Sequence, residues 1–170
     1  YWKSISDDRS YEVWVKFDNP VDQVTFTEEY GWLVNNSVSR PKKCGVLWIP
    51  VQTSEKPDDI CLGLPGNLSF HYKNPHNIFA GKDFDNMDLL EREYIFEEAL
   101  KFLVEHPKET NIFVDTGLWA DAETINFEER YDYIQKNGIR YLGFVAYING
   151  YDLKNLESDS LTIVRMNEDK

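Results

Sequence analysis

The sequence lacks a long apolar run and is poor in positive charge. No segment approaches the roughly 20 consecutive apolar residues that a membrane-spanning helix needs, and no basic start followed by an apolar stretch indicates a signal peptide. The 170 residues include 18 Lys and Arg against 30 Asp and Glu, which gives a net charge of −12. Such an acidic chain is a poor partner for nucleic-acid phosphates or for an anionic membrane surface. We therefore expect neither to bind it directly.

Cysteine is scarce, and its spacing does not indicate a metal site. The two cysteines, Cys44 and Cys61, form neither a CxxC motif nor a Cys/His pattern of the zinc-binding kind. Two partly buried thiols are the favoured interpretation. A disulfide between them is the alternative, and it would matter if the domain is exported.

The chain has three histidines. His71 and His76 lie near Asp83 and Asp85 in a stretch with the composition of a loop. Nothing in this spacing defines a coordination geometry, and loop histidines are more often solvated or hydrogen-bonded than bound to a metal. His106 lies at a predicted helix end, where it can face the last carbonyls. We therefore predict no metal site and no cofactor.

Apolar and aromatic residues, in contrast, are plentiful. Hydrophobic residues make up 42% of the chain and aromatic residues 15%, which is enough for one domain with a real core. Strand and helix patterns follow one another without the regular alternation of a parallel βαβ sheet. The prediction is one α+β domain with a mixed or mostly antiparallel sheet, two main helices and one or two short ones.

Several stretches have the alternation and the β-branched or aromatic content of strands. The clear ones are Tyr11–Phe17, Gly45–Val51, Ile139–Ile148 and Leu161–Met166, and the weaker ones are 68–72 (LSFHY) and 111–116 (NIFVDT). Asn19-Pro20 is expected to end the first strand, and Pro50 to mark an edge or an end of the second. Residues 52–84 resemble a loop, but one so long is unusual, so some hidden pairing is expected there.

Two stretches have the period of an amphipathic helix. The first runs from Asn86 to His106, with Asp85 or Asn86 as its cap. Its predicted apolar face consists of Leu89, Phe96, Ala99, Leu100 and Leu103. The second runs from Asn126 to Asn137. The charged runs EREYIFEE and NFEERYDY within them are interpreted as solvated helix faces.

The ends of the second helix and two shorter helices also have sequence signals. Asn126 followed by Glu129 resembles a capping box, and Gly138 suits a left-handed C-cap. A short helix after Thr27, acting as its cap, and another around Asp152 to Leu156 complete the prediction.

Near the C-terminus a long strand meets a turn at Asn149-Gly150 and then a short helix, an arrangement that can bind a phosphate or present a nucleophile. It lacks the glycines of a dinucleotide motif, the Gly-Lys-Ser/Thr of a phosphate loop and the Gly-flanked Ser of a nucleophile elbow. We therefore predict a structural role, with Asp152 as helix cap. Gly143, inside the strand, predicts a bulge or a close approach by a ring.

Acidic side chains cluster around VDTGLWAD, where Asp115, Asp121 and Glu123 lie near Trp119. Two carboxylates beside an aromatic platform are typical of glycosidases. With thirty acidic residues in the chain, however, such clusters arise easily, and a solvated loop is favoured. We predict no catalytic residue and expect that the domain is not an enzyme.

Three passages, taken together, have a recognisable order of elements: EVWVKFDNP, KKCGVLWIPVQT and NGIRYLGFVAYINGYDLKNLESDSLTIVRMNED. This order resembles the C-terminal domain of membrane-bound sigma-factor regulators, the anti-sigma factors of Gram-positive bacteria. The three passages cover the strands, the last turn and the short helix, whereas the loop-rich stretch from Gln52 to Phe84 contributes nothing.

The resemblance implies a location and a role. In that family a cytoplasmic segment binds a sigma factor, one transmembrane helix follows, and the domain outside the membrane senses a signal or binds a partner. The start Tyr1-Trp2-Lys3, without a methionine, fits a position just beyond such a helix. Residues 1–10 would then be a mobile juxtamembrane tether and residues 11–170 a single sensory domain. A free-standing secreted or immunity-type binding module is the alternative, and a secreted carbohydrate hydrolase is a third class.

Overall fold

The computed structural model of the chain describes residues 5–34, 44–55, 62–66, 87–107, 125–154, 156 and 160–168. Within these residues five strands and four helices follow one another. In chain order they are β1 (Ser10–Val21), α1 (Gln23–Val34), β2 (Gly45–Pro50), β3 (Gly63–Pro65), α2 (Leu89–Glu105), α3 (Phe127–Asn137), β4 (Tyr141–Asn149), α4 (Gly150–Lys154) and β5 (Leu161–Glu168). The α+β prediction is confirmed.

The strands form one sheet in the order β3-β2-β4-β1-β5, and every neighbouring pair is antiparallel. Three connections that contain helices, β1 to β2, β3 to β4 and β4 to β5, each join two parallel strands with one antiparallel strand between them. These are split crossovers, as in other α+β folds in which helices cover a sheet. The sheet is thus antiparallel throughout its described pairs.

Helices pack on one face of this sheet. Phe26 and Tyr30 of α1 contact Phe17 of β1 and Phe144 of β4, with ring centroids 5.2 to 6.2 Å apart. Helix α2 packs against α3 and against β3, and both helices contribute to the same buried cluster. The core therefore lies between the helices and the face formed by alternate residues of β1 and β4.

Strand β1 is longer than the sequence predicted. It continues through Asn19-Pro20 to Val21, where the residue pairing with β4 shifts between Lys16 and Val21. A β-bulge tolerates a proline because the ladder is already interrupted there. The prediction that Asn19-Pro20 ends the strand is therefore wrong.

The N-terminal caps of α1 and α2 also differ from the prediction. Helix α1 begins at Gln23, and its cap is Asp22, whose Oδ1 accepts the Thr25 backbone N–H at 2.9 Å; Thr27 lies inside the helix. Helix α2 begins after Asp88, which forms a full capping box with Glu91. The predicted caps Thr27, Asp85 and Asn86 are wrong because several acceptor side chains precede each helix, and sequence spacing alone does not choose among them.

Helix α3 begins and ends at the predicted residues, but its caps are only partly as predicted. Glu129 accepts from the Asn126 side chain and not from its backbone, and Gly138, with ψ of 173°, lies outside the left-handed helical region. The Asn126 side chain accepts the Glu129 backbone N–H at 3.1 Å, and Gly138, with φ of 72°, donates its N–H to the Ile134 carbonyl at 2.8 Å. The hidden pairing expected in residues 52–84 is β3, which pairs with the end of β2. The weaker strand candidates 68–72 and 111–116 lie outside the described residues.

Each charged run that was interpreted as a solvated helix face contains one buried arginine. Arg92 is 1% exposed and donates through Nε to the Met87 carbonyl at 3.1 Å. Arg130 is 6% exposed and donates to Thr53 Oγ1 at 2.5 Å. The aliphatic part of arginine can extend an apolar face while its head finds acceptors, so the solvated interpretation is wrong at these two positions.

The orientation of α2 predicts a large cost for truncating Leu100, which is 2% exposed and belongs to the cluster that also contains Phe96 and Phe144. Leu100→Ala should lower the free energy of unfolding by about 2–5 kcal/mol. Leu90, 60% exposed on the same helix, is the matched control, and Leu90→Ala should change stability by less than about 0.5 kcal/mol. Chemical denaturation measures both. Equal losses in the two variants would show that the helix faces another way.

Candidate functional site

The turn at Asn149-Gly150 leads directly from β4 into α4. Asn149 Oδ1 accepts the Asp152 backbone N–H at 2.8 Å, and Asn149 Nδ2 donates to Asp152 Oδ2 at 2.6 Å. The cap is therefore Asn149, and the prediction of Asp152 as the cap is wrong. Leu153, 0% exposed, anchors the helix in the core. The turn has the structural role that the sequence predicted, with its polar groups bonded to each other.

Gly150 allows another part of the chain to cross the turn. A Cβ at this position would lie 2.0 Å from the Ser6 carbonyl oxygen, far inside contact distance. The Gly150 backbone N–H donates to the Arg9 carbonyl at 2.9 Å. The glycine is thus required by the backbone of residues 5–9, which we call the N-terminal segment.

The N-terminal segment is attached to the domain. Ile5 is 6% exposed and belongs to the core cluster, and the Ser6 backbone N–H donates to the Tyr11 hydroxyl at 2.9 Å. Two exposed ion pairs, Lys154 with Asp7 and Arg9 with Glu168, connect the segment to α4 and to β5; exposed pairs of this kind contribute little to stability. The part of the predicted tether that the structure describes therefore packs on the domain, because Ile5 contributes to the core.

The sheet face opposite the helices carries a row of four side chains in register across four strands. Trp48 of β2 lies opposite Val145 of β4, Val145 opposite Trp14 of β1, and Trp14 opposite Arg165 of β5. We call these four residues the open-face row. Trp14 is 42% exposed although β1 is an inner strand, so a large ring is accessible in the middle of the sheet.

The Trp14 ring is held by charged neighbours on its own face. Its Nε1 donates to Glu12 Oε1 at 2.9 Å, and the Arg165 guanidinium carbon lies 5.5 Å from the ring centroid. This is cation–π geometry. A ring fixed in this way loses little conformational entropy when a partner covers it. Of the other tryptophans, Trp32 packs against the core, and Trp119 lies outside the described residues.

A polar pair, Tyr141 and Glu93, lies under α2. The hydroxyl of Tyr141, 0% exposed, donates to Glu93 Oε1 at 2.6 Å. Partial burial raises the pKa of Glu93 above its ordinary value, and the charges of Asp22 and Glu97 add to that rise although the Tyr141 hydrogen bond opposes it. Burial, with the charge of Glu93 beside it, raises the pKa of Tyr141 as well, while nearby Arg92 lowers it. The phenol therefore remains protonated and donates to the carboxylate.

Asp22 lies close to Glu93 and Tyr141, and its pKa is shifted in the opposite direction, downwards. The Thr25 backbone N–H holds the pKa of Asp22 below its ordinary value, and Arg140, whose Nη1 is 3.3 Å from Asp22 Oδ2, contributes in the same direction. The two carboxyl groups, Glu93 and Asp22, are thus separated in acidity by their surroundings. Such a pair is also found in acid–base sites, but here both have structural partners, the buried phenol and the helix N-terminus.

An open groove of about 560 Å³ lies between α3 and the chain that follows β2. Glu55, Glu129 and Asp132 contribute carboxylates and Lys136 an amine. Thr53, which also lines the groove, accepts the hydrogen bond from buried Arg130. The walls carry both signs of charge, so charge alone selects no ligand class.

The candidate residues of the sequence fall mainly outside the described part of the chain. These are His71, His76, Asp83, Asp85, Asp115, Trp119, Asp121, Glu123 and Cys61. Cys44 is buried, and whether it pairs with Cys61 stays open. His106 is the C-cap of α2, and its ring lies 4.3 Å from that of Phe102. Among the residues that the structure describes, no group of three or more His, Cys, Asp or Glu could hold a metal ion, and no helix is long and apolar enough to cross a membrane.

The open-face row could not be found from sequence alone. Trp14 and Trp48 were visible as aromatic residues in predicted strands, but their joint position depends on β4 lying between β1 and β2. The Glu93–Tyr141 pair is separated by 48 positions, and no local pattern connects the two residues. The alternation in Tyr11–Phe17 was the available signal, since it places Trp14 on the face opposite Val13 and Val15.

The elevated pKa of Glu93 predicts a pH-dependent effect of Glu93→Gln. The folded state binds the proton of the Glu93 carboxyl group more tightly than the unfolded chain does. The stability linked to this proton is therefore present at low pH and is lost as the pH rises through the pKa of the folded state. The Gln variant retains the acceptor for Tyr141 without the charge. Its stability relative to the native chain should therefore rise between about pH 4 and pH 7.

Denaturant titrations across that pH range measure this difference. Glu98→Gln, at an exposed position of the same helix, is the control for removing one acidic charge from α2. A relative stability of Glu93→Gln that falls as the pH rises would mean that the folded state favours the charged carboxylate.

Gly150→Ala should release the N-terminal segment because its Cβ would overlap the Ser6 carbonyl. Amide hydrogen exchange at Ser6 and Arg9, which donate to Tyr11 and to Ser6, should become faster by more than the change in global stability accounts for. Gly138→Ala is the control. Its φ of 72° makes alanine unfavourable by about 1–3 kcal/mol, but nothing lies within 4 Å of the added Cβ. If both variants accelerate these amides equally, Gly150 has no specific role in docking.

No family model, curated protein or solved structure matches the chain. The resemblance to the extracytoplasmic domain of anti-sigma factors therefore stays a prediction.

Proposed function

We propose that the chain is a protein-binding regulatory domain, and that it forms the extracytoplasmic part of a membrane-anchored anti-sigma factor. The observation that supports binding is the open-face row, with an accessible tryptophan at its centre. The membrane-bound context rests on the sequence resemblance alone.

The open-face row has the chemistry of an interface centre. Aromatic and arginine side chains dominate binding energy when a partner excludes water from them. Here Trp14 and Arg165 are stacked on each other, and Trp48 and Val145 continue the surface across β4 and β2. These side chains stand on paired strands and not on loops, so a partner meets a preformed surface.

Strand β5 connects this surface to the N-terminal segment. Arg165 stacks on Trp14, and three residues further along the same strand Glu168 pairs with Arg9. A partner that displaces Arg165 would act on the strand that also holds the N-terminal segment. In the proposed regulator that segment leads towards the membrane, so binding on the open face changes how the segment is held.

A free-standing secreted or immunity-type module would use the open-face row equally well. The difference lies in the gene. About 20 apolar codons just before Tyr1 favour the membrane-anchored regulator, whereas a start codon close to Tyr1 favours the free-standing module.

Trp14→Ala tests the proposed surface in the full-length protein in its own cells. Loss of the ring should weaken partner binding by about 2 kcal/mol or more, roughly thirtyfold, and should shift the output of a sigma-factor-dependent reporter. Tyr94→Ala is the matched control, since Tyr94 is an exposed aromatic residue on α2 (65% exposed). It should leave the reporter unchanged. Equal reporter outputs from native, Trp14→Ala and Tyr94→Ala proteins would contradict a role for this face.

Location is tested separately with a cysteine at exposed Val24. A membrane-impermeant thiol reagent should label Val24→Cys in intact cells, and the same protein with native Val24 reports any reaction at Cys44 or Cys61. Labelling that requires broken cells would place the domain inside and would contradict the regulator.

A further inference from the structure

Strand β5 lies at one end of the described sheet, and its apolar side chains are incompletely covered. Leu161, Ile163 and Met166 are half-buried, whereas their partners on β1, Phe17, Val15 and Val13, are buried. Val164 is 62% exposed. The core is therefore less well covered along β5 than along β1, its neighbour.

A bulge divides β5 at its centre. Trp14 pairs with Arg165 and the next β1 residue, Val15, pairs with Ile163, which leaves Val164 as the extra residue. Before the bulge odd-numbered residues of β5 share the core face with Val15 and Phe17; after it the even-numbered ones do. The core-facing positions are Leu161, Ile163, Met166 and Glu168, and the open-facing positions are Thr162, Arg165 and Asn167.

We propose that β5 pairs antiparallel with β5 of a second copy of this chain, about a two-fold axis between Val164 and Arg165. In an antiparallel pair, directly opposed residues lie on the same face of the sheet. The eight residues of β5 have one two-fold register that opposes all of them, and it matches faces at the six residues outside the bulge pair. Its pairs are Leu161 with Glu168, Thr162 with Asn167, Ile163 with Met166, and Val164 with Arg165 of the other copy.

The bulge is what makes this register possible. In a regular strand of eight residues the full-length two-fold register would oppose residues from different faces, because each side chain alternates. One extra residue at the centre exchanges the faces of the second half. Bulges at sheet edges often block pairing, but this one lies on the proposed axis and leaves the two halves of the strand regular.

The Ile163–Met166 and Thr162–Asn167 pairs join side chains of like chemistry. Ile163 and Met166 of each copy would meet on the core face and cover the half-buried side of the strand, while Thr162 and Asn167 would meet on the open face. The net charge of −12 on each copy opposes association and is screened by salt. A strand pair is also small as interfaces go, so we expect a reversible dimer that is best measured at high salt. This proposal does not depend on the proposed function.

Cysteine pairing tests the register. Thr162→Cys and Asn167→Cys, both at exposed positions, are made separately in chains with Cys44→Ala and Cys61→Ser, mixed and oxidised. The two positions oppose each other across the axis, within reach of a disulfide. Identical positions lie about 17 Å apart. A covalent dimer should form in the mixture and not in either variant alone. Equal crosslinking in all samples, or none in the mixture, would overturn the proposal.

Charge at Val164 gives an independent measurement, because this residue opposes Arg165 of the other copy. Val164→Glu should strengthen the dimer and Val164→Lys should weaken it, each several-fold, in sedimentation equilibrium. Overall charge repulsion alone predicts the reverse order, since Lys makes an acidic chain less negative. Val24→Glu and Val24→Lys, at a position equally exposed on α1, show that overall effect by itself. If the Val164 variants follow the Val24 variants, or if the native chain stays monomeric at all concentrations, the proposal is wrong.

Discussion

The antiparallel pairing of β1 with β4 is the contact on which the rest of the structure depends. The two strands approach so closely at Gly143 that a Cβ there would lie 1.9 Å from the Val15 carbonyl oxygen. Any side chain at this point would push the central strands apart. The glycine therefore sets the position of Phe144, around which the rings of Phe17, Phe26 and Tyr30 pack. The sequence predicted a bulge or a ring at this glycine, and the close neighbour is the backbone of β1.

The same pairing determines where the polar groups lie. Beyond the bulge in β1, Val21 pairs with Tyr141, and the following residue, Asp22, caps α1. Tyr141 is thereby placed under α2, where its hydroxyl meets Glu93. A buried phenol needs an acceptor, and a carboxylate on the helix provides one at the cost of partial burial of its charge. This connection joins α2 to the central strand by a polar contact in addition to apolar packing.

The two proposed interaction surfaces both arise from the position of β1 between β4 and β5. On the open face β1 brings Trp14 between Val145 and Arg165. At the end of the described sheet, pairing with β1 leaves Val164 as an extra residue that divides β5 into two halves of opposite alternation. Arg165 belongs to both surfaces, since it stacks on Trp14 and lies beside the proposed two-fold axis. A partner on the open face and a second copy at the edge would therefore influence each other through this residue.

The sequence by itself determined the elements whose signals are local. Alternation in Tyr11–Phe17, the apolar stripe of α2 and the Asn126 and Gly138 ends of α3 were sufficient to predict a strand, a helix and two caps, because each depends on residues within one turn or one strand. The α+β class followed from their order. Local signals failed where several candidates competed, as with the caps at Asp22 and Asp88, and where an arginine within a charged run was buried.

Only the tertiary structure decided which strands are neighbours, and with that every relation over long sequence distances. The order β3-β2-β4-β1-β5 places Trp14 beside Arg165, Tyr141 beside Glu93 and Ser6 over Gly150. None of these relations has a periodic signature, because strand neighbours are selected by the packing of the whole core and not by the residues adjacent in the chain. The physical reason is that a strand pattern specifies which side chains face the core. It does not specify which other strand will pair with that strand.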